Sequence, residues 1–231
     1  MRNYTHAFAL LLASAAVCPA ASVTVTAVDS GAYSSAGAHT PGNQNYITGT
    51  FTTERRSFFA FDLSSVAGTV NSAKLRLFNP EVSAFLHGYS SPDPTETLNI
   101  YDVTTPAANI IDSTAGVAGF NDLGSGTLFG TQTVSAADNG FVVEIVLNAD
   151  AIAALNARGS GLFVFGGALS TISGPGDQHV FGFSMTPFVD TKTRELVLDV
   201  TAVPEPSTIG LMLAAVALTG AARLRFARKI R

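Results

Sequence analysis

An all-β fold is what residues 22–202 predict: an antiparallel two-sheet sandwich, jelly-roll-like, with one short helix, followed in the chain by a C-terminal transmembrane helix. Three observations predict it. Short runs alternate apolar with polar side chains, the period of a half-buried strand. Gly, Pro, Asn and Asp punctuate those runs at short intervals. Only one internal segment carries both a helix-start and a helix-stop signal.

Taken in order, residues 22–28 open the series, with Val23 and Val25 set against Thr24 and Thr26. Residues 46–52 are a second strand, and 57–61 a third holding Phe58, Phe59 and Phe61. Residues 72–78 are the clearest, with Ala73, Leu75 and Leu77 on one face and Lys74 and Arg76 on the other. Residues 97–103 repeat the pattern with Leu98 and Ile100, 128–134 repeat it more weakly, and 140–147 carry Phe141, Val143, Ile145 and Leu147. Strands at 161–165, 180–185 and 195–201 complete the set. The helix has Asn148 as N-cap, Asp150 in its first turn, Ala151 to Leu155 behind it and Gly159 past its end. Short half-buried strands with one helix fit a two-sheet sandwich. Three long connections, 29–45, 80–96 and 106–126, are left to carry any binding function.

The chain is 47% hydrophobic and only 13% charged, and its middle is long enough for one domain with a substantial core. Its net charge of −4 hides an asymmetry: residues 22–203 hold seven Lys and Arg against sixteen Asp and Glu, a net −9. Nucleic acid demands clustered cations, so that class of partner is excluded. Residues 1–21 read as a secretory signal peptide, with Arg2 and His6 before an apolar run at 7–17 too short to span, and small residues at Ala20, Ala21 and Ser22. Export by the Sec translocon and cleavage by signal peptidase follow. Cys18 sits after Val17, where a lipoprotein box wants a small residue, and the mature chain has no other cysteine. Its stability rests on core burial, with a structural calcium ion the candidate addition.

Residues 203–231 hold three parts in sequence. The prolines of Pro204-Glu205-Pro206, within the motif 203–207, fix φ and hold an extended connector outside the folded domain. An uncharged run at 206–222 forms a membrane helix of roughly 25 Å at about 1.5 Å per residue, slightly short of a ~30 Å hydrocarbon core. The tail 223–231 carries Arg223, Arg225, Arg228, Lys229 and Arg231 and no acid, which places it in the cytoplasm. A core helix is the first competing reading, but the run is apolar on every side. A permanent anchor is the second; the marginal length and the small residues suit a segment held briefly and then cut away.

The run Val203-Pro204-Glu205-Pro206-Ser207, with the short span and Arg-rich end behind it, resembles the PEP-CTERM sorting signal of Gram-negative bacteria. The resemblance implies an exosortase, an integral-membrane cysteine protease. That enzyme would recognise Pro-Glu-Pro, remove the span and pass the protein to the cell surface or extracellular matrix. These residues are then a substrate for another protein's active site. A second likeness runs through residues 56–64, Arg-Ser-Phe-Phe-Ala-Phe-Asp-Leu-Ser, and Ser72-Ala73-Lys74-Leu75-Arg76-Leu77. It is similar to the signature of DNRLRE-type extracellular β-sandwiches, some of which bind carbohydrate.

For chemistry, the mature chain offers His39, His87 and His179, none within a Gly-x-Ser-x-Gly elbow or a His-Glu-x-x-His motif. The expectation is a non-catalytic structural or glycan-associated domain with no catalytic residue; an extracellular hydrolase of surface polysaccharide is the alternative. Residues 174–179 form the most concentrated polar loop, first of all a tight turn, with Asp177, Gln178 and His179 as candidate ligand contacts. Tyr33 and Tyr89, placed in loops, are candidate stacking platforms for sugar rings. Asp29, Asp93, Glu96 and Asp102 are the carboxylates nearest loop ends for a calcium ion, without EF-hand or nonapeptide spacing. Arg55 and Arg56 read together as the solvated start of a strand.

Overall fold

The computed structural model describes residues 20–83, 86–158, 161–183 and 193–202. The expected signal peptide lies outside these residues up to position 19, as do Pro204, Glu205, Pro206, the membrane helix and the basic tail. Among the described residues no helix is long and apolar enough to cross a membrane.

Ala20–Thr201 is one compact unit. Its strands are β1 (Ala20–Thr26), β2 (Asp29–Ser34), β3 (Thr48–Phe51), β4 (Thr53–Asp62), β5 (Thr69–Asn79), β6 (Leu86–His87), β7 (Thr95–Asp102), β8 (Leu128–Ser135), β9 (Phe141–Val146), β10 (Leu162–Leu169), β11 (Gln178–Val180), β12 (Gly182–Phe183) and β13 (Arg194–Thr201). Among the described residues every pairing is antiparallel. One sheet runs β1-β13-β5-β9; the other runs β11-β3-β4-β10-β7-β8, with β2 also on β4; β6 and β12 form a small third. The chain crosses between the two large sheets repeatedly, β4 to β5, β5 to β7, β8 to β9 and β9 to β10.

The alternation read at β5 has a physical cause in this arrangement. Val70, Ala73, Leu75 and Leu77 are buried, while Lys74 and Arg76 turn outward. There Arg76 meets Glu144 of β9 at 3.0 Å and Glu195 of β13 at 2.5 Å, and Lys74 meets Glu144 at 2.8 Å. Exposed pairs of this kind contribute about 0.2–1 kcal/mol each. The inner faces carry more. Phe59, Phe61, Ile100 and Phe165 of one sheet pack against Leu75, Ile145, Leu196 and Leu198 of the other in one continuous core. Helix α3 (Ala149–Ala157) adds Ala151 and Leu155 to that core, and the Asn148 side chain caps it by accepting from the Ala151 N–H at 3.0 Å.

All three expected loops contain regular structure, with β6 and the first residues of β7 inside 80–96. Residues 106–126 contain α1 (Ala107–Ile111) and α2 (Gly116–Asp122), neither with a side-chain cap at its N-terminus. They cover the outer face of the second sheet in a satellite cluster of Tyr33, Phe58, Ala60, Ile110, Phe120 and Leu123. Residues 57–61 of β4 are therefore buried on both faces, which a period-2 reading does not anticipate. Residues 29–45 begin with β2, where Ser30, Gly31 and Ala32 are small. A Cβ on Gly31 would lie 2.5 Å from the His39 ring and 2.7 Å from Phe58, so glycine permits this close packing.

Candidate functional site

The two tyrosines expected to stack sugars are core residues, a correction to the sequence reading. Tyr33 is fully buried in β2, and its hydroxyl donates to the Ile110 carbonyl at 2.7 Å and the Asn109 carbonyl at 3.2 Å, pinning α1 to the sheet. Burial pushes its pKa up. Tyr89 is 6% exposed and donates to the Asp93 carbonyl at 2.5 Å. Neither ring presents a face to a ligand.

The loop at 174–177 is a turn with both glycines at positive φ, 73° at Gly174 and 113° at Gly176. Gln178 is buried and closes it: its Oε1 accepts from the Ser173 N–H at 2.8 Å and its Nε2 donates back to the Ser173 carbonyl. Asp177 stays exposed and accepts from the Thr52 N–H at 3.4 Å. His179 is 2% exposed, with Nδ1 3.4 Å from the Thr50 carbonyl and its ring edge-on to Phe51 and 6.1 Å from His87. Of these three residues only Asp177 faces solvent, so they do not converge on a ligand.

The four carboxylates considered for calcium are taken up by hydrogen bonds to nearby protein groups. Asp29 accepts from the Ser30 N–H at 2.8 Å, Asp93 from the Ser173 hydroxyl at 2.8 Å, and Asp102 from the Thr127 N–H at 2.7 Å. Glu96, buried, accepts from the Ser91 hydroxyl at 2.6 Å and from Thr171. Among the described residues no three His, Cys, Asp or Glu side chains come together as a metal site. Nor do the rings of His39 and His179 hydrogen-bond a serine hydroxyl or a carboxylate; the partners are backbone, at Ala32 and Thr50.

Burial holds both histidines below the ordinary value; for His179 the Thr50 carbonyl and Asp177 oppose this and His87 adds to it. A histidine depressed in the fold takes its proton more readily when unfolded, near pH 6.5. Its contribution to stability is complete above that value and is lost as pH falls through the window beneath it. The urea midpoint is expected to fall between pH 7.5 and pH 5, and His179→Gln to shrink that fall, with His39 retaining part of it. A His179→Gln protein with the full wild-type fall would rule out this origin.

The arrangement that sequence reasoning missed is a cleft of 280 Å³ between the β2–β3 connection and β4. Ser34, His39, Thr40, Asn43, Thr53 and Arg55 line it. Arg56, next door, is fully employed. It pairs with Glu54 at 3.1 Å, donates to the Phe120 and Asn121 carbonyls at the end of α2, and lies 4.3 Å over the Phe120 ring. The Arg55 side chain has no ion pair or hydrogen bond with the described residues, and its Nε is buried without a partner, as is the His39 Nε2. A guanidinium in this state, among hydroxyls and an amide, can hold an oxyanion. The strand period puts Arg55 and Arg56 on opposite faces, but only the position of α2 shows which of them is engaged.

An all-β unit whose last strand is followed within a few residues by Pro-Glu-Pro has the build of a domain carried by a processing signal. Residues 202–229 match the family model of the PEP-CTERM protein-sorting motif. The chain carries that motif, which marks an exported protein, anchored in the membrane and then processed by an exosortase. No curated protein matches the chain.

Proposed function

We propose that this is a cell-surface or extracellular-matrix protein of a Gram-negative bacterium, with a non-catalytic structural or glycan-associated domain. Residues 1–21 direct export through the Sec translocon, 206–222 hold the chain in the inner membrane with 223–231 in the cytoplasm, and an exosortase acts at Pro204-Glu205-Pro206. The observation that carries this reading is the sorting motif, which begins at residue 202, one residue past the end of β13. The strand order supports a jelly roll: β1-β13-β5-β9 lies opposite β4-β10-β7-β8, and the chain passes between the sheets from β4 to β5, β5 to β7, β8 to β9 and β9 to β10. The solvent-open polar cleft supports glycan association.

The intact mass of the mature protein, recovered from the cells that make it, is the test. A mass ending between Val203 and Ser207, with or without an added group, is expected. A mass that includes Arg231 would establish a permanent anchor and end the sorting reading.

A further inference from the structure

Six Lys and Arg residues lie among the described residues of the sandwich, and five are engaged. Arg56, Lys74 and Arg76 pair with glutamates, Arg158 donates to the Leu155 carbonyl, and Arg194 donates to Ser30 and Gln44 at 2.8 Å. Arg55 is the sixth, and it lines the cleft. Leaving a buried donor unmatched is costly, most of all for a charged group, a cost relieved when an acceptor arrives.

We propose that this cleft binds a carboxylate-bearing sugar, a uronate residue of an acidic polysaccharide. Arg55 holds the carboxylate, and Thr40, Asn43 and Thr53 meet the ring hydroxyls. The proposal rests on the glycan-associated reading above and narrows it to one site and one sugar class.

Four features of the cleft select that ligand. The guanidinium fork matches a carboxylate with two parallel hydrogen bonds. One cation in the cleft balances the single carboxylate that one ring brings to it. The side-chain hydroxyls of Thr40 and Thr53 and the Asn43 Nδ2 form no hydrogen bond with the described residues and are ready for hydroxyl partners. A volume of 280 Å³ falls just below the range of about 300–1,000 Å³ for drug-sized ligands, which suits one sugar ring.

The cleft is also well placed. Arg194, the first residue of β13, holds Gln44 beside the cleft residue Asn43, whereas the sandwich ends at Thr201. Those positions are seven residues apart along one strand, roughly 23 Å at about 3.3 Å per residue. The cleft is remote from the point where the sorting segment leaves the sandwich.

The experiment is calorimetric titration of the exported protein, purified from its own cells, with the trimers of galacturonate and of glucuronate. Neutral galactose trimer, sodium acetate and sodium sulfate serve as comparisons. A uronate trimer is expected to bind at least tenfold more tightly than the neutral trimer, acetate or sulfate. Arg55→Gln is expected to lose at least tenfold in affinity while its urea midpoint stays at the wild-type value, because the Arg55 side chain makes no hydrogen bond or ion pair with the described residues. Asn43→Ala, on the other wall, is expected to weaken the trimer and leave acetate unchanged. Equal binding of the acidic trimers by Arg55→Gln overturns the proposal, as does acetate or sulfate matching the trimer, or no binding of either uronate trimer. Sedimentation with the cells' own extracellular polymer separates the two levels. Polymer bound without uronate affinity sinks this inference alone, and polymer not bound sinks the glycan reading beneath it.

Discussion

Replacing Pro204, Glu205 and Pro206 with alanine is expected to leave export intact and to trap the whole chain, unprocessed, in the membrane fraction. Two effects combine in this variant. The prolines restrict φ and disfavour α conformation at the residue before them, the property of the tripeptide that a protease cleft would read. Alanine is the strongest helix former, and three in a row before an apolar run would let a helix begin earlier and withdraw the tripeptide backbone. Loss of the Glu205 carboxylate removes the one charge in the motif. The expected change is all-or-none: an intact mass that includes Arg231, where the wild type ends near Val203 to Ser207. The sandwich itself should be untouched, because β13 ends at Thr201 and every strand pairing described lies before the substitutions. Equal urea midpoints would confirm that a sorting defect, not misfolding, is being read. Release of the variant at the normal size would mean that the Pro-Glu-Pro is not what the protease reads.

The strands that were legible in the sequence are those buried on one face only. β5, β7 and β13 alternate because one sheet face is core and the other is solvent, so composition and burial carry the same period. α3 was legible through its Asn148 cap and alanine-rich body, signals local to the helix. Much of the rest was hidden for one shared reason. The β2, β4 and β10 part of the second sheet is covered twice, inside by the first sheet and outside by α1 and α2, helices of five and seven residues too short to show a periodic stripe. Without that cover, Tyr33 reads as a loop tyrosine, Arg56 as a solvated cation and 106–126 as a binding loop. With it, Tyr33 and Arg56 become the two ties that fix the helices to the sheet. The candidate ligand site moves to Arg55, whose neighbour has taken the partners. Gln178 was misread differently: its amide completes the turn that the glycines begin, so a residue suited to sugar contact is spent on the backbone.

The twofold cover makes adjacent phenylalanines of β4 report on different parts of the molecule. Phe59 and Phe58 are both fully buried, yet Phe59 points into the inter-sheet core and Phe58 into the satellite cluster under α1 and α2. Truncating either to alanine is expected to cost about 3–5 kcal/mol, a large share of the roughly 5–15 kcal/mol that holds a domain folded. The way the loss is distributed should differ. Phe59 packs edge-on to Tyr46 at 5.4 Å, within the cluster that joins the two sheets, so Phe59→Ala should lower the protection of every core strand together. Phe58 meets Tyr33 at 6.2 Å and His39 edge-on at 5.1 Å, and these contacts tie the helical cover and the β2–β3 connection to the sheet. Phe58→Ala should therefore open α1 and α2 first, with amide exchange rising over 107–122 while β5, β9 and β13 keep their protection. It should also weaken the cleft, because His39 lines it and rests on the ring that is removed. Hydrogen exchange on the two variants decides the matter. Uniform loss of protection in Phe58→Ala would show that cover and core unfold as one unit, and that the helices are an integral layer of the sandwich.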